Sequence, residues 1–192
     1  MIIPRLVIAS KNADKIAEME AVVDELGFVT EIVRGLEWPD VEETGETLEA
    51  NALLKAKAVG EATGLPALAD DTGLEVTALD GLPGVNTARF AGPDATYDEN
   101  VTKLLADLEG AVDRTARFRT AVALVFPEGR REFASGEVTG SIALERRGSG
   151  GFGYDPVFEV EGQTLSEMGV ERKNGLSHRA RALRALAARL DD

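Results

Sequence analysis

The hydrophobic pattern opens as a strand and then becomes a helix. Ile2 to Ala9 is a compact, β-branched run interrupted by Pro4 and Arg5, which predicts a strand buried in a parallel or mixed sheet. Ile16, Met19, Val22, Val23 and Leu26 then recur at helical spacing, with Gly27 as the C-terminal cap. Leu48 to Ala62, rich in alanine and leucine, predicts a second helix on propensity, with Asn51 and Lys55 on one face. Ala67 to Leu79 reads as a strand interrupted by a turn at Asp70, Asp71, Thr72 and Gly73, which puts carboxylates at the turn's tip.

Farther along, Thr96 and Glu99 form a capping-box pattern, and Val101, Leu104, Leu105 and Leu108 stripe the helix it opens. That helix reads as purely structural. Phe118, Thr120, Val122, Leu124 and Phe126 alternate along a long strand that ends in a turn at Pro127 to Gly129, and Arg131 to Leu144 returns antiparallel. Val157 to Val160 reads as strand. A last helix starts after Ser177 and buries Leu183, Leu186 and Leu190. Interleaved strands and helices point to the α/β class.

Composition narrows the function. The chain has 192 residues, 44% of them hydrophobic, enough for one sizeable core, so a single domain over residues 1–192 is expected. Acidic residues outnumber basic ones 34 to 21 and the net charge is −13, which argues against nucleic acid or an anionic membrane as a general partner. An anionic ligand has to be met by local cations. Cysteine is absent, which excludes disulfides, thiol nucleophiles and cysteine-bound zinc, and the lone histidine, His178, excludes polyhistidine metal sites. No signal-peptide core or membrane-spanning run is present in the sequence, so a cytoplasmic address is the default.

Four stretches carry candidate chemistry. Ser10 to Lys15 joins the first strand to its helix, where free N–H groups, a hydroxyl and Lys15 suit phosphate oxygens; the alternative is an ordinary polar cap. Acidic Asp40, Glu42 and Glu43, with Asp70 and Asp71, suit Mg²⁺, which needs one or two carboxylates besides waters and phosphates; the alternative is a solvated surface. Adjacent Asp70 and Asp71 next to apolar Leu68, Ala69 and Leu74 are harder to explain as surface, because like charges repel.

Gly148, Gly150 and Gly153 have the spacing of a dinucleotide fingerprint, but Pro156 and a strand follow where that motif needs a helix. The segment reads instead as a loop presenting Phe152 and Tyr154 to a nucleobase, with Asp155 accepting base N–H groups; the alternative is a hairpin whose aromatics pack inward. Finally, His178 and Arg179 stand in the first turn of the last helix, near Lys173. Cations at a helix's positive end cost about 0.3–1 kcal/mol, which points to an anionic or carbonyl-bearing ligand rather than surface noise.

In chain order, Ser10-x-Asn12-x-x-Lys15, Glu42 before Thr44-Gly45, Glu49-Ala50-Asn51-Ala52, Ala69-Asp70-Asp71-Thr72-Gly73-Leu74, Gly81-Leu82-Pro83-Gly84, Phe152-Gly153-Tyr154-Asp155-Pro156 and Ser177-His178-Arg179 resemble the inosine triphosphate pyrophosphatase family over nearly the whole chain. Lys11 departs from the family pattern, in which glycine is common, and bears on the loop's conformation. The resemblance implies that Ser10, Lys11, Asn12, Ala13, Asp14 and Lys15 bind the triphosphate, that Glu42 and Asp71 hold Mg²⁺, and that Asp71 is the general base. Thr72, Phe152, Gly153, Tyr154, Asp155, Lys173, His178 and Arg179 are the implied substrate contacts, and Lys55 a further phosphate contact. A long twisted mixed β-sheet flanked by helices, two lobes around a central cleft, and a homodimer are implied as well.

The expected reaction is attack of water on the α-phosphorus of a non-canonical purine nucleoside triphosphate, giving monophosphate and pyrophosphate. A non-catalytic nucleotide-binding module would use the same cradle and aromatic loop, but Asp71 and Glu42 argue against it. A nucleic-acid- or partner-binding domain has only that loop beside Arg146 and Arg147 in its favour, and the overall charge opposes it.

Overall fold

Parallel pairing at the amino end builds the part of the sheet that carries the candidate site. The computed structural model describes residues 1–191, and all their side chains except those of Val170, Asn174 and Asp191. In it β1 (Ile3–Ile8) pairs in parallel with both β2 (Val29–Ile32) and β3 (Ala67–Val76). β4 (Pro83–Gly84) pairs antiparallel with β3, and β5 (Thr115–Val125) leads through a tight turn, closed by Phe126 N–H on the Arg130 carbonyl, into β6 (Arg131–Ile142). β7 (Phe158–Val160) and β8 (Gln163–Thr164) complete a mixed sheet ordered β2-β1-β3-β5-β6-β7-β8.

Local chemistry sets the helix ends. α1 (Ala13–Leu26) is capped by the Asn12 side chain and stopped by Gly27 at φ +66°. α2 (Leu48–Thr63) begins at the Thr47 hydroxyl and stops at Gly64, and α3 (Tyr97–Asp107) carries the expected capping box. α4 (Val170–Leu176) and α5 (His178–Asp191) follow. α4 and β2 were not expected from the pattern: one is a seven-residue helix containing glycine, the other a four-residue strand. Neither is long enough to show a period. No helix among the described residues is long and apolar enough to cross a membrane.

The chain packs as two compact units, each built from separated stretches. The first takes Met1–Asp71, Thr120–Gly136 and the segment from His178 onward. Its sheet is covered on both faces. Leu6, Ile8, Leu68, Val122 and Leu124 pack with Met19, Val22 and Val23 of α1 and Leu183 and Leu186 of α5, whereas Val7, Ala9, Ala67, Ala69, Ala123 and Val125 pack with Ala52, Ala56 and Val59 of α2. Successive residues point to opposite faces, so two covered faces require the unbroken apolar runs seen in the sequence. The second unit, Thr72–Arg119 and Glu137–Ser177, is centred on Leu74, Leu104, Phe118, Val138, Phe158 and Leu165, with the Phe118 and Phe158 rings 4.7 Å apart.

One expectation is overturned. β3 does not turn at Asp70 to Gly73 but runs through all four residues. Turn propensity is a local preference, and here the strand's two neighbouring faces supply partners for both carboxylates, which removes the cost of burying them.

Candidate active site

Strand alternation separates the two adjacent aspartates. Asp70 has the parity of Leu68 and faces α1 and α5; its Oδ2 accepts from Arg179 Nε at 3.0 Å and lies 3.4 Å from Lys15 Nζ. Arg179 also donates to Glu18. Asp70 and Arg179 are both almost wholly buried, and the two cations balance the two carboxylates. Burial by itself pushes the Asp70 carboxyl up, but Lys15, Arg179 and Lys55 together hold it well below the usual carboxylate range. The cation in the first turn of α5 thus has internal partners, which answers the unfavourable dipole position without a bound anion.

Asp71 has the parity of Ala69 and faces α2. Its Oδ2 accepts from Asn51 Nδ2 at 3.1 Å, and its Oδ1 from Lys55 Nζ at 3.3 Å; Lys55 also reaches Glu43 at 2.6 Å. Burial raises the Asp71 carboxyl above its ordinary value, with Lys55 and Lys15 offsetting part of the effect. Lys55 is raised too: burial opposes its charge, but Asp71, Asp70 and Glu43 outweigh that.

Two carboxylates, Asp71 and Glu43, share the Lys55 ammonium directly, and Glu42 is exposed on the same loop as Glu43. All donors here are oxygen. No group of three or more histidines, cysteines, aspartates and glutamates forms a ready cage among the described residues. Mg²⁺ needs none, since it retains waters and uses substrate phosphates, so the donor set fits this ion.

At the start of α1, Ser10 Oγ accepts from Asn12 N–H at 3.2 Å, and Asn12 Oδ1 accepts from the N–H groups of Asp14 and Lys15 at 3.0 and 3.2 Å. The Asn12 carbonyl therefore orders the loop as a helix cap. Ala13 and Asp14 are exposed, and Lys11 pairs with Asp40. A cavity of about 780 Å³ lined by Ser10, Lys11, Ile16, Arg34, Leu36 and Trp38 runs beside this loop.

The remaining candidates lie in the second unit. Asp155 Oδ2 accepts from Phe152 N–H at 2.8 Å and from Lys173 Nζ at 2.7 Å, while Lys173 sits 5.0 Å from the Phe152 ring centroid. Tyr97 lies against the same ring at 5.8 Å. Gly151, at φ +76°, allows this closure, because a Cβ there would stand 2.1 Å from Asp155 Oδ2. Phe152 and Gly153 are partly exposed, as is Thr72 on β3. Tyr154 corrects the expectation of two presented rings: it is core, with its hydroxyl donating to the Thr87 carbonyl at 2.9 Å.

The predicted residues therefore fall into two groups. Ser10 to Lys15, Glu42, Lys55, Asp71, His178 and Arg179 belong to the first unit, and Thr72, Phe152 to Asp155 and Lys173 to the second. His178 is buried, its Nδ1 2.5 Å from Thr120 Oγ1. Glu18, Asn51 and Thr120 touch these residues without having been assigned a role in the sequence, whereas Glu43, expected as a possible Mg²⁺ carboxylate, pairs with Lys55. Asn51 had a signal, since it stands one helical turn before Lys55; Thr120 appeared only as an alternating strand residue.

Residues 6–189 match the sequence model of the Ham1 family. The chain is 49% identical over 187 residues to a dITP/XTP pyrophosphatase of Geobacter sulfurreducens, covering 95% of this chain and 94% of that protein. A protein of the same name from Porphyromonas gingivalis is 50% identical over 189 residues, with 95% of each chain covered. Among solved structures, a HAM1 protein from Coxiella burnetii aligns with a TM-score of 0.86 and 41% identity over 98% of both chains. A nucleoside-triphosphatase, dITP/XTP pyrophosphatase, from Mycobacterium abscessus aligns at 0.75 and 42%, over 97% of this chain and 99% of that one.

Proposed function

The chain belongs to the Ham1 family, and from that premise we propose that it is a Mg²⁺-dependent hydrolase of non-canonical purine nucleoside triphosphates. ITP, dITP and XTP are the substrates, monophosphate and pyrophosphate the products, and clearance of such nucleotides from the pool the outcome. The relatives that carry a functional name are named as pyrophosphatases, so the non-catalytic binding reading is not favoured.

The observation that carries the mechanism is the arrangement around Asp71. Its carboxylate, held by Asn51 and Lys55 and raised by burial, is a stronger base than an exposed aspartate. It takes the proton of a water whose oxygen bonds to the α-phosphorus. The bond from that phosphorus to the bridging oxygen breaks, and pyrophosphate leaves. Ser10 to Lys15 hold the triphosphate, with Lys15 and Lys55 countering its charge. Glu42 and Asp71 would hold Mg²⁺, which would supply charge neutralisation on the phosphates and the leaving group.

Phe152 offers its face to the base, the loop through Gly153, Tyr154 and Asp155 shapes that subsite with Lys173, and Thr72 completes the substrate contacts. Arg179 is committed to Asp70 and Glu18, so of the two expected donors His178 is the one that would reach the C6 carbonyl of hypoxanthine or xanthine and reject adenine, since an unmatched buried donor costs about 1–3 kcal/mol. A homodimer in the cytoplasm completes the proposal, and sedimentation equilibrium tests the dimer.

A product-resolved assay over ITP, XTP, ATP and GTP, with and without EDTA, tests the function. ITP and XTP should yield pyrophosphate only when divalent ion is present. Diphosphate plus orthophosphate would overturn the cleavage position, and metal-independent turnover the role of Mg²⁺.

A further inference from the structure

Asn51 is fully buried on α2 and makes two hydrogen bonds that run in opposite senses. Its Oδ1 accepts from Gly45 N–H at 2.8 Å, and its Nδ2 donates to Asp71 Oδ2 at 3.1 Å. A backbone N–H only donates and a carboxylate only accepts, so the amide has one possible orientation. One side chain therefore ties the loop that carries Glu42 and Glu43 to the carboxylate on β3.

The tie is close. A Cβ on Gly45 would stand 2.6 Å from Asn51 Oδ1, 2.7 Å from Ala50 Cβ and 2.9 Å from Asn51 N. Only a residue without a side chain lets the loop backbone approach the amide to hydrogen-bond distance. On the other side, Lys55 takes the remaining Asp71 oxygen and bonds Glu43, so loop, helix and strand are joined at two points.

We propose that Asn51 is a positioning residue that fixes the acidic loop and the Asp71 carboxylate relative to each other, with Gly45 as its obligatory counterpart. The inference rests on the reading of Asp71 and Glu42 as the base and cation ligands. Asn51 touches neither substrate nor ion; it acts through the carboxylates, as outer hydrogen-bond partners of metal ligands do.

Asn51→Ala, Asn51→Asp and Gly45→Ala test it. Asn51→Asp keeps the acceptor for Gly45 N–H but loses the donor to Asp71, whereas Gly45→Ala leaves both partners chemically intact and pushes the loop away. Each should lower kcat by about 10²-fold with little change in KM. Each should also weaken Mn²⁺ binding, followed by the paramagnetic resonance of free ion, by about 10- to 100-fold. The double variant Asn51→Ala/Gly45→Ala should lose less than the sum of the two single losses, because both break the same Gly45–Asn51 bond. Gly45→Ala with undiminished kcat and Mn²⁺ affinity overturns the proposal even if the Asn51 variants fail to fold. Asp71→Asn separates the two ideas: full turnover in that variant removes the base reading and leaves the Mn²⁺ titration of Gly45→Ala to decide the role of Asn51.

Discussion

Asp70 and Asp71 are covalent neighbours with opposite partners: Asp70 takes its hydrogen bond from Arg179 on α5, Asp71 from Asn51 on α2. The pleat of β3 separates them, so each carboxylate has its own hydrogen-bond donors while Lys15 and Lys55 act on both. One carboxylate has a balanced set of cations and is strongly held in the charged form. The other is bonded to Asn51 and Lys55 and is raised by burial.

For Asp71→Asn, we expect turnover to fall by roughly 10²- to 10⁴-fold while nucleotide affinity changes little, since shape and hydrogen bonding to Asn51 are nearly kept but the base is lost. Steady-state kinetics paired with calorimetric binding checks this. Near-normal kcat would remove Asp71 as the base.

Asp70→Asn should act on stability instead. It leaves Arg179 buried without its main counter-charge, a loss of about 3–5 kcal/mol read by urea unfolding. The pH dependence has a definite sign. The folded carboxyl of Asp70 lies below its unfolded value of about 3.9, so its contribution is complete above that pH and is lost as pH falls toward the folded value. The stability gap between the two proteins should be flat from neutrality to about pH 5 and close only in stronger acid. A gap that widens on acidification would contradict this assignment.

Phe152→Ala removes the partly exposed ring beside Lys173 and Tyr97. KM for ITP should rise by about tenfold or more with a smaller effect on kcat, as expected for a lost stacking face. An unchanged KM would detach this loop from the base.

Gly136→Ala tests the packing of β6 on α5. The added Cβ would stand 2.3 Å from Ala182 N and 2.4 Å from His178 O, both backbone atoms that cannot rotate away. A loss of about 1–3 kcal/mol, seen as a lower Tm, is expected. A variant as stable as the parent would mean that α5 shifts freely.

Local chemistry made much of this protein legible in its sequence. Gly27, Asn12, Thr47 and the Thr96 and Glu99 pair set helix ends through bonds spanning a few residues, and unbroken apolar runs reveal strands covered on both faces. The order of short motifs also pointed to the right family. What only the tertiary structure decided was the state of Asp70 to Gly73 and the identity of its partners. Those partners come from 16 to 109 positions away, and a local propensity has no means of weighing charges delivered from such distances. The same limit hid the partners of Asn51 and Glu43, Asp71 and Lys55, which meet them only once α2 and the acidic loop close on β3.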